Sequence, residues 1–482
     1  MYSALEFINK YKFPYIPWGP TLGQYMHTDA IYTQPINFFT KHNFNYINEN
    51  AEAHNLIKFH SYFIAYLMAP FAKMFSAPFI VNFMHAFSFV GVLSLSYCYL
   101  RKYRIPILIS LITIFSVSLN HAWSQALFQQ PYFDRLYLIF SLALILFTVK
   151  YKFNRFYFSL FLILSSIIVE KALIFNFIFL ISYLILYYKD ITREKVFYFL
   201  GAAILSLLSF IFLSKFYLNN FYYEGMMPSS ISNFIDLVKN IFSSEDLKSK
   251  IFCFIVGISP FLALTLFFAF RFFLISIATL LPNILFTVGG AEKVGFYSHY
   301  HSVYFSFLVF GFILSLINLY NSDFKFKKIF TLFYLLLTIV FYLFFTTNEY
   351  NQIKFRFNHN SYLYQWRTLY ESAGTAKKVE SFISQKIPIS ARLTSSEIFI
   401  PYLYNYENVS FFPYNYENAD FLLVSYRLIN NQNIPYFMTY LGDKHNIEAN
   451  GEIYKRLKLA HFDFDNPLYI DNSGMIIKKI RP

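Results

Sequence analysis

The chain has 482 residues, of which 56% are hydrophobic, 23% aromatic and only 14% charged. That excludes an ordinary soluble domain and makes the bilayer the main solvent. A net charge of +13 would suggest nucleic acid in a soluble protein, but here the basic residues sit in short loops between apolar runs, where they set membrane orientation. The expected surroundings are therefore membrane lipids, with no nucleic acid. Cys98 and Cys253, the two cysteines, both fall in apolar runs, so nothing suggests a disulfide framework or a thiolate metal site.

In chain order, residues 1–76 read as an outer N-terminal segment. It holds the polar, aromatic stretch His27–Gln34, with Asp29 at its centre. Apolar runs follow at 77–100, 106–122, 133–150, 156–169, 172–188, 196–214, 251–270, 272–288, 300–320 and 328–347. Most are long enough to cross about 30 Å of hydrocarbon at about 1.5 Å per residue. Glu170-Lys171 interrupts the pair 156–169 and 172–188, giving two helices that meet near one face or one long kinked helix.

Loop charge assigns the two sides. Arg101, Lys102 and Arg104, then Lys150, Lys152 and Arg155, then Lys189, Arg193 and Lys195, then Arg271, then Lys325, Lys327 and Lys328 occupy alternate connections, which should be cytoplasmic. The connections 123–132, 170–171, 215–250 and 289–299 then face outward, together with residues 1–76 and 348–482. The polar start Met1-Tyr-Ser-Ala-Leu-Glu does not resemble a signal peptide, so either the helix that follows translocates this segment or a further helix lies upstream of Met1, the second being the favoured expectation.

From about Asn348 the apolar runs shorten and Asn, Glu and Ser rise. Thr375–Ser384 has Val379, Phe382 and Ile383 at helical spacing, and strands are expected near Ala391–Ser395, over Ala419–Ser425 and over Gly474–Ile480. Residues 348–482 thus read as an extracytoplasmic α/β domain behind a helical bundle spanning 77–347.

A charged group inside hydrocarbon is costly unless it is paired or faces a polar cavity. The candidate site residues are therefore the polar ones that fall together on the outer side. Asp29 suits a general base, and equally an N-cap for a helix starting at Ala30. His60 lies before the first span, as a ligand-binding residue or a snorkelling one. Asp134, Glu170 and Lys171 stand at span ends, with a local surface ion pair as the plain alternative for the last two. The segment Gly289–His301 carries Lys293, His299 and His301, which could hold a phosphate, or could form a flexible loop with aromatic interface anchors. The scattered Asp, Glu and His have no ligand spacing that identifies a metal. No cofactor is called for, and divalent-metal use stays open.

These residues carry a resemblance. The acidic stretch around Asp29, His60–Phe75, Val169-Glu-Lys-Ala172, Ser298-His-Tyr-His301, Val379–Ile383 and Ala419–Val424 resemble a family of prokaryotic multi-pass membrane proteins of unknown function, itself similar to the GT-C glycosyltransferases. The resemblance covers most of the chain. It implies a GT-C-like α-helical bundle of about nine or ten spans with a C-terminal extracytoplasmic α/β domain, in a bacterial inner membrane. It also implies a polyprenyl-phosphate-linked sugar as donor and an envelope glycan, lipid or protein as acceptor. Asp29 is then the catalytic carboxylate, and Lys293, His299 or His301 hold the donor phosphate. A transporter or lipid flippase and a non-catalytic scaffold are the alternative classes, although no second copy of the Glu170-Lys171 break suggests pseudo-symmetric halves.

Overall fold

The structure is a computed structural model. It describes residues 45–47, 53–55, 61–74, 77–120, 123, 133–149, 153–217, 235, 239, 258–285, 302–347, 378–396, 399, 402–403, 406, 408–412, 416–424, 426–429, 432–435, 443–471 and 474–480. A small antiparallel hairpin comes first, β1 (Asn45–Ile47) pairing with β2 (Ala53–Asn55) so that Tyr46 stands opposite His54.

Among the described residues, eleven helices follow before the C-terminal part. They are α1 (Ile64–Met74), α2 (Ala77–Lys102), α3 (Ile107–Leu119), α4 (Leu136–Val149), α5 (Arg155–Ser166) and α6 (Glu170–Tyr187). Beyond them lie α7 (Arg193–Phe212), α8 (Ser259–Phe268), α9 (Phe270–Leu285), α10 (Ser302–Asn321) and α11 (Lys327–Thr347). Helix α1 was not among the expected spans. Its 11 residues cover only about 16 Å at about 1.5 Å per residue, too short to cross.

Among the described residues, four helical stretches are long and apolar enough to cross a membrane: Phe83–Lys102, Glu170–Asp190, Arg193–Phe216 and Val303–Asn321. Shorter apolar helices, α3, α5, α8 and α9 among them, complete a multi-pass membrane protein. The break at Glu170 resolves into two helices. Helix α5 ends at Ser166, and α6 begins at Glu170 after Val169 in extended conformation.

Helix α10 is the axis of the bundle. Of its apolar window 83% is buried, against 22% for Arg193–Phe216, so α10 meets protein on every side while α7 presents Phe197, Leu205 and Leu208 outward. It packs against α2, α4, α6, α8, α9 and α11. Two features of its sequence allow this. Aromatic rings point all round, with Phe312 stacked 4.5 Å from Phe261, Phe310 4.8 Å from Phe272 and Phe307 5.3 Å from Phe179. Between them, Gly311 lets Thr265, Phe272 and Ser276 come so close that an added Cβ would lie 3.1–3.2 Å from each. Lipid tails are as apolar as these side chains, so close packing rather than escape from water holds such helices together.

The basic connections converge at one end. Arg155 pairs with Glu194 at 2.6 Å and lies over the Tyr198 ring, and Arg271 pairs with Asp190 and lies over Tyr187. The helices entering there are capped, since Asn154 accepts from the Tyr157 N–H at 3.1 Å and Thr192 from the Lys195 N–H at 3.4 Å. The helices run alternately toward this end and away from it, so the starts of α4, α6 and α10 gather at the other.

The C-terminal part holds a small mixed sheet in the order β4 (Asn408–Phe411), β3 (Arg392–Ser395), β5 (Phe421–Val424), β9 (Gly474–Lys478), β8 (Tyr469–Asp471). Strand β3 runs parallel to β4 and β5, whereas β9 is antiparallel to β5 and β8. Helical residues 378–386 cover one face, with Val379 and Ile383 in one core with Leu393, Phe421, Leu423 and Ile476. On the other face Leu422, Val424, Met475 and Ile477 share a core with Leu457 of α12 (Asp443–Leu459) and with Phe462. Both faces of β5 are covered, which explains its unbroken apolar run Phe-Leu-Leu-Val. A separate hairpin pairs β6 (Tyr426–Ile429) with β7 (Gln432–Pro435).

Candidate functional site

The end of the bundle away from the basic connections carries acid–base pairs in the first turns of two helices. Asp134 and Arg135 belong to a 3-10 turn, Phe133–Arg135, that leads straight into α4, and both are fully buried. Glu170 opens α6 and is fully buried, with Lys171 behind it and the Lys171 Nζ closed off from solvent. A carboxylate in the first helical turn faces unsatisfied backbone N–H groups and the positive end of the helix dipole, so both acids occupy favourable local positions.

A short segment ahead of α1 joins the two. The Ser61 backbone N–H donates to Glu170 Oε2 at 3.0 Å, and the Ser61 hydroxyl donates to the same oxygen at 3.4 Å. The next residue, Tyr62, is buried with its ring 5.3 Å from that of Phe133, the residue before Asp134. The Ile64 N–H then donates to the Ile167 carbonyl at 2.9 Å, using an acceptor freed where α5 ends. Residues 61–64 therefore bridge the start of α4 and the start of α6.

Helix α2 supports the same turn, its Ser88 hydroxyl donating to the Arg135 carbonyl. His85, one turn earlier and also buried, has its ring 4.9 Å from Phe89, which meets Trp123 edge-on at 4.8 Å. Trp123 lies 5.8 Å from Phe305 near the start of α10, and its backbone N–H donates to Asn120 Oδ1 at 3.3 Å. Asn120 in turn donates to the Tyr342 hydroxyl at 2.8 Å, tying the end of α3 to α11.

Polar contacts continue into the bundle below the site. The Tyr137 hydroxyl donates to Asn176 Oδ1 at 2.9 Å, and Asn176 Nδ2 donates to the hydroxyls of Ser165 at 2.9 Å and Ser166 at 3.1 Å. This network fastens the last turn of α5 to α6 just beneath Glu170. Ser141 and Ser306 share a hydrogen bond of 2.6 Å between α4 and α10.

Of the residues singled out in the sequence, Asp134, Glu170 and Lys171 come to this one end of the bundle. Asp29, His60, Lys293, His299 and His301 lie outside the described residues. Sequence reasoning passed over Arg135, whose charge at the opening of an apolar run was the available signal. It also passed over Ser61, His85 and Asn120, ordinary polar residues that only the fold brings to this end. Among the described residues, no group of three or more His, Cys, Asp or Glu side chains could hold a metal ion.

No family model and no curated protein matches the chain. Among solved structures it is similar to the crystal structure of ArnT from Cupriavidus metallidurans bound to undecaprenyl phosphate. That match covers 99% of this chain and 96% of the other, with a TM-score of 0.47 and 11% sequence identity. The apo form of ArnT from the same organism aligns over 99% of this chain and 97% of its own, with a TM-score of 0.46 and 11% identity. The likeness is one of overall chain course.

Proposed function

We propose that this chain is a GT-C-type membrane glycosyltransferase that moves a sugar from a polyprenyl-phosphate donor to an acceptor hydroxyl at the outer face of a bacterial inner membrane. The observation that carries this reading is the burial of Asp134, Arg135 and Glu170, with the half-buried Lys171 turning its Nζ away from solvent, at the bundle end away from the basic connections. Charged side chains are expensive in a membrane bundle and mark functional sites by default. The motifs around Asp29, His60, Glu170 and His299 add their family resemblance.

In the proposed step the acceptor oxygen bonds to the anomeric carbon as the bond from that carbon to the phosphate oxygen breaks. Asp29 takes the hydroxyl proton, and the leaving polyprenyl phosphate keeps the electron pair. Lys293, with His299 and His301, balances the charge that develops on that phosphate. His60, Asp134 and Lys171 complete the substrate site. The polyprenyl tail lies between helices, and residues 348–482 help to hold or cover an acceptor from the envelope, whether glycan, lipid or protein.

Release of free polyprenyl phosphate by the membrane-embedded protein is the assay. Asp29→Asn should abolish it while the protein stays folded and inserted. Full activity in that variant sinks the assignment.

A further inference from the structure

Glu170 has a task that its chemistry alone does not announce. Its carboxylate is fully buried, yet it accepts both a backbone N–H and a hydroxyl from Ser61, 109 residues earlier in the chain. One turn further on, the Ile64 N–H meets the Ile167 carbonyl at 2.9 Å. Each bond joins backbone or side-chain groups at the start or end of a helix, where intrahelical partners run out. Ile167 closes α5, Glu170 opens α6, and residues 61–64 lead into α1. The interruption between α5 and α6 thus serves as a receptor for the chain entering α1.

We infer that Glu170 is a positioning residue whose carboxylate latches the backbone of Ser61 and so fixes where the segment before α1 meets the bundle. The latch stands on geometry. Its link to catalysis rests on the transfer reading above, in which Asp29 and His60, earlier in the chain than Ser61, take part. The requirement is for an acceptor at the right reach rather than for negative charge. An amide of the same length keeps the acceptor, whereas a carboxylate one methylene shorter withdraws it.

Amide hydrogen exchange of residues 61–64, measured on the full chain in detergent or nanodiscs, tests this directly. In Glu170→Asp the Ser61 and Ile64 amides should exchange about tenfold to a hundredfold faster than in the unsubstituted protein, the range expected for losing a hydrogen bond to a charged group. In Glu170→Gln exchange should stay within a few-fold of the unsubstituted rate. The rate of polyprenyl phosphate release should follow the same order, through kcat more than through the KM for donor. Unchanged exchange in Glu170→Asp overturns the latch, as does the reverse order, with the Asp variant protected and the Gln variant exposed. Faster exchange in Glu170→Asp, with no transfer by the unsubstituted protein, leaves the latch standing and defeats the transfer reading instead.

Discussion

The Asn176 network is the sharpest test of how the α5–α6 junction is held. Replacing Asn176 with Ala removes three hydrogen bonds, one accepted from Tyr137 and two donated to Ser165 and Ser166. Side-chain hydrogen bonds inside membrane proteins average about 0.6 kcal/mol, so the three together come to about 2 kcal/mol. The Tyr137 hydroxyl is then stranded in a fully buried position, which raises the loss toward about 4 kcal/mol. Tyr137→Phe alone removes one bond and should cost about 1 kcal/mol. A double-mutant cycle, read by reversible unfolding in mixed micelles, should give a coupling of about 0.6–1.7 kcal/mol between Tyr137 and Asn176. Strict additivity within about 0.3 kcal/mol would refute the network.

Other expectations follow from single contacts. At Gly474 an added Cβ would lie 2.7 Å from the Phe399 ring and 2.7 Å from the Val424 carbonyl oxygen, neither of which can swing aside. Gly474→Ala should therefore destabilise the C-terminal sheet by about 1–3 kcal/mol, visible as faster proteolysis after residue 378, and an unchanged digestion pattern would count against it. At Gly91 the same addition meets the flexible tip of Ile139, so Gly91→Ala combined with Ile139→Val should melt higher than Gly91→Ala alone. Arg271 and Asp190 are half exposed, so Arg271→Ala should cost less than about 1 kcal/mol in unfolding experiments. A larger loss would mean that the pair is shielded from solvent.

Much of the helical layout could be read from the chain because membrane spans announce themselves by length. The run 133–150 contains α4, 172–188 lies within a residue or two of α6, and the break at Glu170 is where one helix ends and the next begins. Strands β5 and β9 were legible for a related reason, since buried strands read as unbroken apolar runs, whereas β3, Arg-Leu-Thr-Ser, lies where a strand was expected without having such a run. Strand β4, Asn-Val-Ser-Phe, and the hairpin of β6 and β7 were not, because polar edge strands look like loops. Helix α12 escaped too, its polar sequence being interrupted by Gly451. At the site, sequence reasoning reached Asp134, Glu170 and Lys171 through the cost of charge in hydrocarbon. It did not reach Ser61, because a serine gives no local sign that its backbone meets a carboxylate 109 residues away.

The burial of α10 also bears on how the protein is made. The helix that fills the middle of the bundle is among the last to leave the ribosome, so α2 through α9 enter the bilayer around a place that is still empty. Until α10 arrives, the Ser141 hydroxyl lacks its Ser306 partner, and the rings of Phe179, Phe261 and Phe272 lack the aromatic neighbours that α10 brings. Chains cut short before residue 302 should therefore insert but fail to consolidate, and be cleared by membrane quality control. Truncation after α11 removes none of these partners, so the bundle should survive loss of the C-terminal sheet far better than loss of one late helix.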